Sequence, residues 1–131
     1  MHKKYVIEGD LTQYIKPFDD RQRVWDAIAE FRSKVCIDLL NQHNGSLLFT
    51  GPIAIIGSFY FTFPKGIAKH KRVCDIPHTR RPTMSSLIYF VEHMASGILF
   101  GNGINIASIE CNKIYTIGRA RVEMEIMTMD T

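Results

Sequence analysis

The chain has 131 residues, 46% of them hydrophobic and 22% charged, which is typical of one globular domain and excludes a largely disordered protein. It holds no apolar run long enough to cross a membrane, and no apolar segment follows the lysines near its N-terminus. The formal net charge of +3 excludes a strongly basic or acidic protein. We therefore expect a single domain over 1–131 that acts inside a cell and is not secreted.

The first half of the chain predicts one strand and one long helix. Polar and apolar residues alternate over 3–8, as in a strand. Over 20–43 apolar residues recur at steps of three and four, which predicts an amphipathic helix that ends near Asn44 and Gly45. We expect its apolar stripe to pack in the core; the stripe comprises Val24, Ile28, Phe31, Val35 and Leu39, widened by Trp25 and Leu40.

The second half predicts a central strand, a basic loop, a helix and two further strands. Residues 51–64 are rich in β-branched and aromatic side chains, and we expect both faces of this strand to be at least partly covered. The helix presents Leu87, Val91, Met94 and Ile98 on one side and is interrupted at Gly97. The strands at 104–115 and 119–128 are separated by a short connection, which predicts an antiparallel hairpin.

The order β-α-β-α-β-β predicts an α+β fold, in which two helices pack on a small mixed sheet. Three widely spaced cysteines, Cys36, Cys74 and Cys111, form no C-x-x-C pair. This spacing predicts buried, reduced thiols rather than a disulfide framework.

The positive charge is concentrated in one segment. Residues 65–81 hold six Lys or Arg against one acid, a local charge of +5 that leaves −2 for the rest of the chain. The cations are Lys65, Lys69, Lys71, Arg72, Arg80 and Arg81, with His70 and His78 among them. Such a cluster is typical of a phosphate-binding surface, although a solvated cationic loop has the same composition.

Several residues of the second half resemble the RusA family of Holliday-junction resolvases. The family signature reads R-P-D-x-D-N-L-x-K at a helix start, then D-D-x-Q-I leading into a strand that reaches a lysine and an aromatic residue. The matching residues here are RPTMSSLIY at 81–89, NGINI at 102–106, and Lys113 with Tyr115. The frame fits from about Pro52 to the C-terminus, and the resemblance implies a RusA-like domain that forms a homodimer on branched DNA.

This chain departs from the signature at the positions that the resemblance assigns to metal binding and catalysis. The resemblance implies metal-binding acids at the positions of Thr83, Ser85, Asn102 and Gly103, and an assisting lysine at Tyr89, but none of these is present. Mg²⁺ takes hard oxygen ligands that usually include a carboxylate, and hydroxyl or amide groups supply no such charge. We therefore predict no metal, no cofactor and no catalytic residue. Thr83 or Ser85 retains the ability to cap the helix.

We predict a catalytically inactive, RusA-like pseudo-resolvase that binds branched or duplex DNA in replication or recombination. It would act in the cytoplasm, the nucleoid or a viral replication site, and a phage or virus origin would suit it. The predicted DNA-binding residues are Lys65, Lys69, Lys71, Arg72, Arg80, Arg81 and Lys113. Binding through such cations should weaken steeply with salt.

Three other interpretations stay open. The fold could serve as a protein-interaction or structural subunit of a replication, recombination or virion assembly, using the aromatic residues and methionines near 59–63 and 124–129. An active nuclease could draw on Asp75, Glu92 and Glu110. A zinc site could use His70, Cys74 and His78, although it would need a fourth ligand.

Overall fold

The computed structural model of the chain describes residues 2–10, 33–44, 48–80, 82–101 and 105–129. In chain order the elements are strand β1 (His2–Glu8), helix α1 (33–43 in its described part), β2 (Ile53–Thr62), a 3-10 turn (Lys69–Lys71), β3 (Ile76–Pro77), α2 (Met84–Met94), β4 (Ile106–Thr116) and β5 (Arg121–Thr128). The earlier part of the predicted first helix, with Val24, Trp25, Ile28 and Phe31, lies outside the described residues. No helix in the described part is long and apolar enough to span a bilayer.

The five strands form one mixed sheet in the order β1-β5-β2-β4-β3. Strand β2 lies at its centre, parallel to β4 on one side and antiparallel to β5 on the other. The outer strands β1 and β3 run antiparallel to β5 and β4. The predicted α+β class, mixed sheet and central strand are therefore confirmed, with one short strand, β3, that the sequence pattern did not predict.

The predicted hairpin between the last two strands is wrong. Gly57 of β2 faces Cys111 of β4 on one side and Met124 of β5 on the other, so β2 separates the two strands. The short 117–120 connection therefore crosses the end of β2 instead of making a hairpin turn. Strand β2 is apolar and gains hydrogen-bonded neighbours on both edges, an arrangement that connection length alone does not reveal.

One core lies between a single face of the sheet and the two helices. Helix α1 contributes Val35 and Leu39, and α2 contributes its predicted apolar side. Helix α2 approaches β2 closely at Gly57, where an added Cβ would lie 3.4 Å from the Val91 side chain. Leu40 was expected to widen the core stripe but is 55% exposed, since one residue turns the helix by about 100° away from Leu39.

Helix α1 is attached to the outer edge of β1 by polar contacts. The Gln42 side chain accepts from the backbone N–H of Val6 at 2.7 Å and donates to its carbonyl at 2.6 Å. The Tyr5 hydroxyl forms a buried hydrogen bond with Nδ1 of His43 at 2.7 Å. The amide of Gln42 thus satisfies two backbone groups that an edge strand leaves unpaired.

Helix α2 is shorter than its apolar pattern. It ends at Met94, with Ala95 as its C-cap, and Gly97 then adopts a φ of +81° that favours glycine. The N–H of Gly97 donates to the carbonyl of Phe100 at 2.7 Å. Ile98 is buried as predicted, but it reaches the core from this turn rather than from the helix.

Candidate nucleic-acid interface

The basic loop, residues 63–82, leaves the C-terminal end of β2, forms β3 and leads into α2. Lys65, Lys69, Lys71 and Arg80 are exposed on it. The ion pairs found among the described residues involve none of these four side chains. Their charges therefore face solvent, whereas Arg81 lies outside the described residues.

Arg72 has a structural role inside this loop. Its Nε donates to the carbonyl of Ile67 at 2.8 Å, and its Nη2 donates to those of Pro64 and Lys65 at 3.1 and 3.2 Å. Three hydrogen bonds from one planar guanidinium fix the turn that follows β2. The loop that carries the lysines is therefore held by one of its own predicted DNA-binding residues.

Lys113 holds the other end of the loop. It lies on β4, and its ammonium donates to the carbonyls of Arg80 and Pro82 at 2.6 and 2.8 Å. Burial lowers the pKa of Lys113. The ammonium of Lys113 is thus directed toward the backbone just before α2. There it helps to fix the position of Arg80.

His78 does not join the exposed cations, which corrects its expected place in the basic cluster. It is only 8% exposed and lies between the rings of Phe61 and Tyr115, at centroid distances of 4.8 and 4.2 Å. Its Nδ1 accepts from the backbone N–H of Arg80 at 3.2 Å. Burial, and then the nearby charge of Lys113, lowers the pKa of His78, so the imidazole is neutral near pH 7.

The described residues at the positions where the RusA signature has acids or a lysine take part in the packing and capping of α2. Thr83 is the N-cap of α2, and its Oγ1 accepts from the N–H of Ser86 at 3.4 Å, which confirms the predicted cap. Ser85 is exposed in the first turn, and the Tyr89 ring lies 3.9 Å from that of His93. Asn102 and Gly103 lie outside the described residues.

The carboxylates proposed for an alternative nuclease site do not converge. Asp75 accepts from the N–H of Ile117 at 3.0 Å and so attaches the basic loop to the β4–β5 connection. Glu110 lies opposite Ile56 on the sheet face away from the core, whereas Glu92 lies on α2, which packs on the other face. Within the described ranges, no group of three His, Cys, Asp or Glu is placed to hold a metal ion.

A groove of about 570 Å³ opens beside these residues, between β3, β4 and the start of α2. Its apolar lining comes from Ile76, Pro77, Met84 and Ile114, and its polar lining comes from Asp75, His78, Asn112 and Lys113. The sequence pattern gave no sign of this groove, because it depends on a two-residue strand that pairs with β4 far along the chain.

The cysteine prediction is partly wrong. All three described cysteines are free thiols, as expected, and Cys36 and Cys111 are partly buried. Cys74 is exposed on the basic loop instead of buried. Burial, with a smaller contribution from Glu110, raises the pKa of Cys111 to about 11.

Comparison with protein-family models and with curated proteins gives no match for this chain. The likeness to the RusA family therefore stands on the residues at 81–89, 102–106, 113 and 115 alone.

Proposed function

We propose that this chain is a RusA-like pseudo-resolvase that binds DNA, with branched DNA as its preferred form, and does not cut it. The observation that carries the proposal is a set of four solvent-facing cations on a loop fixed by internal hydrogen bonds. Arg72 fixes the start of the loop and Lys113 fixes its end. Phosphate contacts need positioned cations of this kind, and preorganisation reduces the entropy lost on binding.

The absence of cleavage is supported by the side chains at the family's catalytic positions. Thr83 and Ser85 are neutral, and Thr83 accepts the capping hydrogen bond of α2. A phosphodiesterase that uses Mg²⁺ needs carboxylates to hold the ion against the substrate phosphate. The segment therefore keeps a helix start beside the basic loop without the charge that metal catalysis requires.

The resemblance also implies a homodimer, in which two basic loops would face one four-way junction. We include this dimer in the proposal. It would act in replication or recombination, and a second copy of the loop would double the phosphate contacts.

Fluorescence anisotropy tests the proposal, with a labelled four-way junction and a matched duplex titrated at two salt concentrations. We expect tighter binding to the junction, a steep loss of affinity with salt, and no cleavage in parallel reactions with Mg²⁺ or Mn²⁺. Lys69→Gln with Lys71→Gln should weaken binding. Lys4→Gln with Lys34→Gln removes the same charge from exposed sites elsewhere and should not.

Equal losses in the two double variants would show that only overall charge matters and would contradict an interface at the loop. Absence of binding at low salt would favour the alternative, a protein-interaction or structural subunit. Of the residues first suggested for such a partner surface, Phe59, Phe61 and Met124 are buried in the core, whereas Met129 is 41% exposed.

A further inference from the structure

Four large apolar side chains are exposed around β3, next to the basic loop. They form what we call the apolar patch: Val73, Ile76, Met84 and Ile117, with exposed fractions of 70%, 37%, 42% and 61%. Asp75 binds the backbone of Ile117, which brings the chain around Val73 to the β4–β5 connection. Ile76 and Met84 line the same groove. The four residues therefore belong to one region of the surface.

Exposed cations lie close to the apolar patch along the chain. Lys71 precedes Val73 by two residues, and Arg80 precedes Met84 by four. The acid within the same segment, Asp75, is engaged by the N–H of Ile117. Glu8 and Glu123 lie on β1 and β5, toward the other edge of the sheet, where they pair with Arg119 and Arg121. The ligand that suits this surface is a polyanion with apolar parts.

Intact duplex DNA satisfies only half of this description. It offers phosphates to the cations, but its base faces are stacked and hidden from aliphatic side chains. At a branch point, a bubble or a strand end, base faces become accessible, and proteins that distort DNA insert Leu, Ile or Met side chains against them. An aliphatic surface among phosphate-binding cations thus gains contacts only from DNA whose bases are unstacked.

We infer that the apolar patch contacts unstacked bases while Lys65, Lys69, Lys71 and Arg80 hold the neighbouring phosphates. The ligand class is DNA with exposed base faces. This inference rests on the proposed function and supplies a physical reason for the preference for branches. The adjacent groove of about 570 Å³ lies within the range of roughly 300–1,000 Å³ that pockets for small ligands span. It therefore has room for part of a displaced nucleotide.

The test compares two double variants of equal chemistry. Val73→Ser with Ile117→Ser removes apolar surface from the patch. Ile37→Ser with Leu40→Ser removes it from α1, where the two side chains are 63% and 55% exposed. Anisotropy measures affinity for a four-way junction, a bubble and an intact duplex, and 2-aminopurine fluorescence at the branch point reports base unstacking.

We expect the patch variant to bind the junction and the bubble more weakly by a factor on the order of ten. This factor corresponds to the loss of about two buried methyl groups from the interface. Its affinity for the duplex should be unchanged, and the rise in 2-aminopurine fluorescence on binding should disappear. The α1 variant should match the parent in every assay. Circular dichroism on both variants confirms that the fold is retained.

Other outcomes distinguish a failure of the apolar-patch contact from a failure of DNA binding. If the parent binds DNA but the patch variant keeps its junction preference and its fluorescence change, the inference fails and the proposed function stands. If the parent binds no DNA, both fail. If the patch variant alters sedimentation of the protein but not DNA binding, the patch is a protein contact and the inference is overturned.

Discussion

The imidazole of His78 stacks on the ring of Tyr115, with the two centroids 4.2 Å apart. This contact fixes the end of β3 against β4, directly before the exposed Arg80 and the N-cap of α2. Because the Nδ1 atom of His78 accepts from the N–H of Arg80, the position of that cation depends on a neutral histidine.

The stability of the protein should therefore fall in mild acid. The pKa of His78 is lowered from its ordinary value of 6.5, so the unfolded chain takes up the proton first as the pH falls. The stabilisation is complete above about pH 6.5 and is lost between that value and the lower pKa of the folded state. Urea unfolding from pH 8 to 5 measures this slope.

The matched variant is His78→Asn, whose side-chain oxygen can still accept from the N–H of Arg80 but does not titrate in this range. We expect it to be less stable than the parent at pH 8 and to depend less on pH between 6.5 and 5. An unchanged slope would show that His78 is not the titrating group.

Lys113 should stabilise the fold through its hydrogen bonds to the backbone. Lys113→Met removes the ammonium from the carbonyls of Arg80 and Pro82, and we expect a loss of about 1–3 kcal/mol in the free energy of unfolding. Lys65→Met, at an exposed site with the same chemical change, should leave stability unchanged. Urea denaturation measures both variants, and equal stabilities would argue that the Lys113 contacts contribute nothing.

Arg72→Lys keeps the charge but not the planar guanidinium that reaches three carbonyls. We expect hydrogen exchange at the amides of Ile67 and Arg72 to accelerate by roughly tenfold, because the turn opens locally more often. The DNA affinity of Arg72→Lys should fall as well, because the loop that carries the lysines is less well fixed. Arg80→Lys, a change of the same kind at a solvent-facing site, should leave the exchange of these amides unchanged, and normal protection in Arg72→Lys would contradict the structural role.

The salt dependence of DNA binding should report the number of phosphate contacts. Each exposed cation replaced by glutamine, at Lys65, Lys69, Lys71 or Arg80, should reduce the slope of log affinity against log salt by about 0.9 on duplex DNA. Titrations at four salt concentrations measure the slope for each single variant. A slope that does not change marks a cation that contacts no phosphate.

The thiol of Cys74 should react with thiol reagents much faster than that of Cys111. Cys74 is exposed, whereas a pKa of about 11 leaves roughly one Cys111 in a thousand as thiolate at pH 8. We expect one fast phase with a thiol reagent, which Cys74→Ser removes. If that phase survives the substitution, the assignment of reactivity is wrong.

The sequence predicted the helices and strands better than it predicted which strands pair with each other. Val35, Leu39, Leu87 and Val91 were assigned to the core from helical spacing, and they are buried. Thr83 was assigned as a helix cap from its residue type. These features depend on a few adjacent residues, so the local pattern holds the information needed to find them.

The interface was predicted only as a set of charges. The concentration of cations over 65–81 was evident in the sequence, but their separate roles were not. Arg72 binds the loop, Lys113 binds the segment before α2, and His78 is buried and neutral. No residue type distinguishes a cation that faces solvent from one that faces a carbonyl, because the partner is a backbone atom brought close by the fold.

The sequence by itself determined the α+β class, the central strand, the apolar sides of the helices and the absence of acids at the positions where the RusA signature has them. Only the tertiary structure decided that β2 separates β4 from β5, that a two-residue strand closes the sheet edge, and that Asp75 attaches the basic loop to Ile117. The physical reason is range: periodicity and capping act within a few residues, whereas strand pairing joins segments whose separation leaves no local pattern.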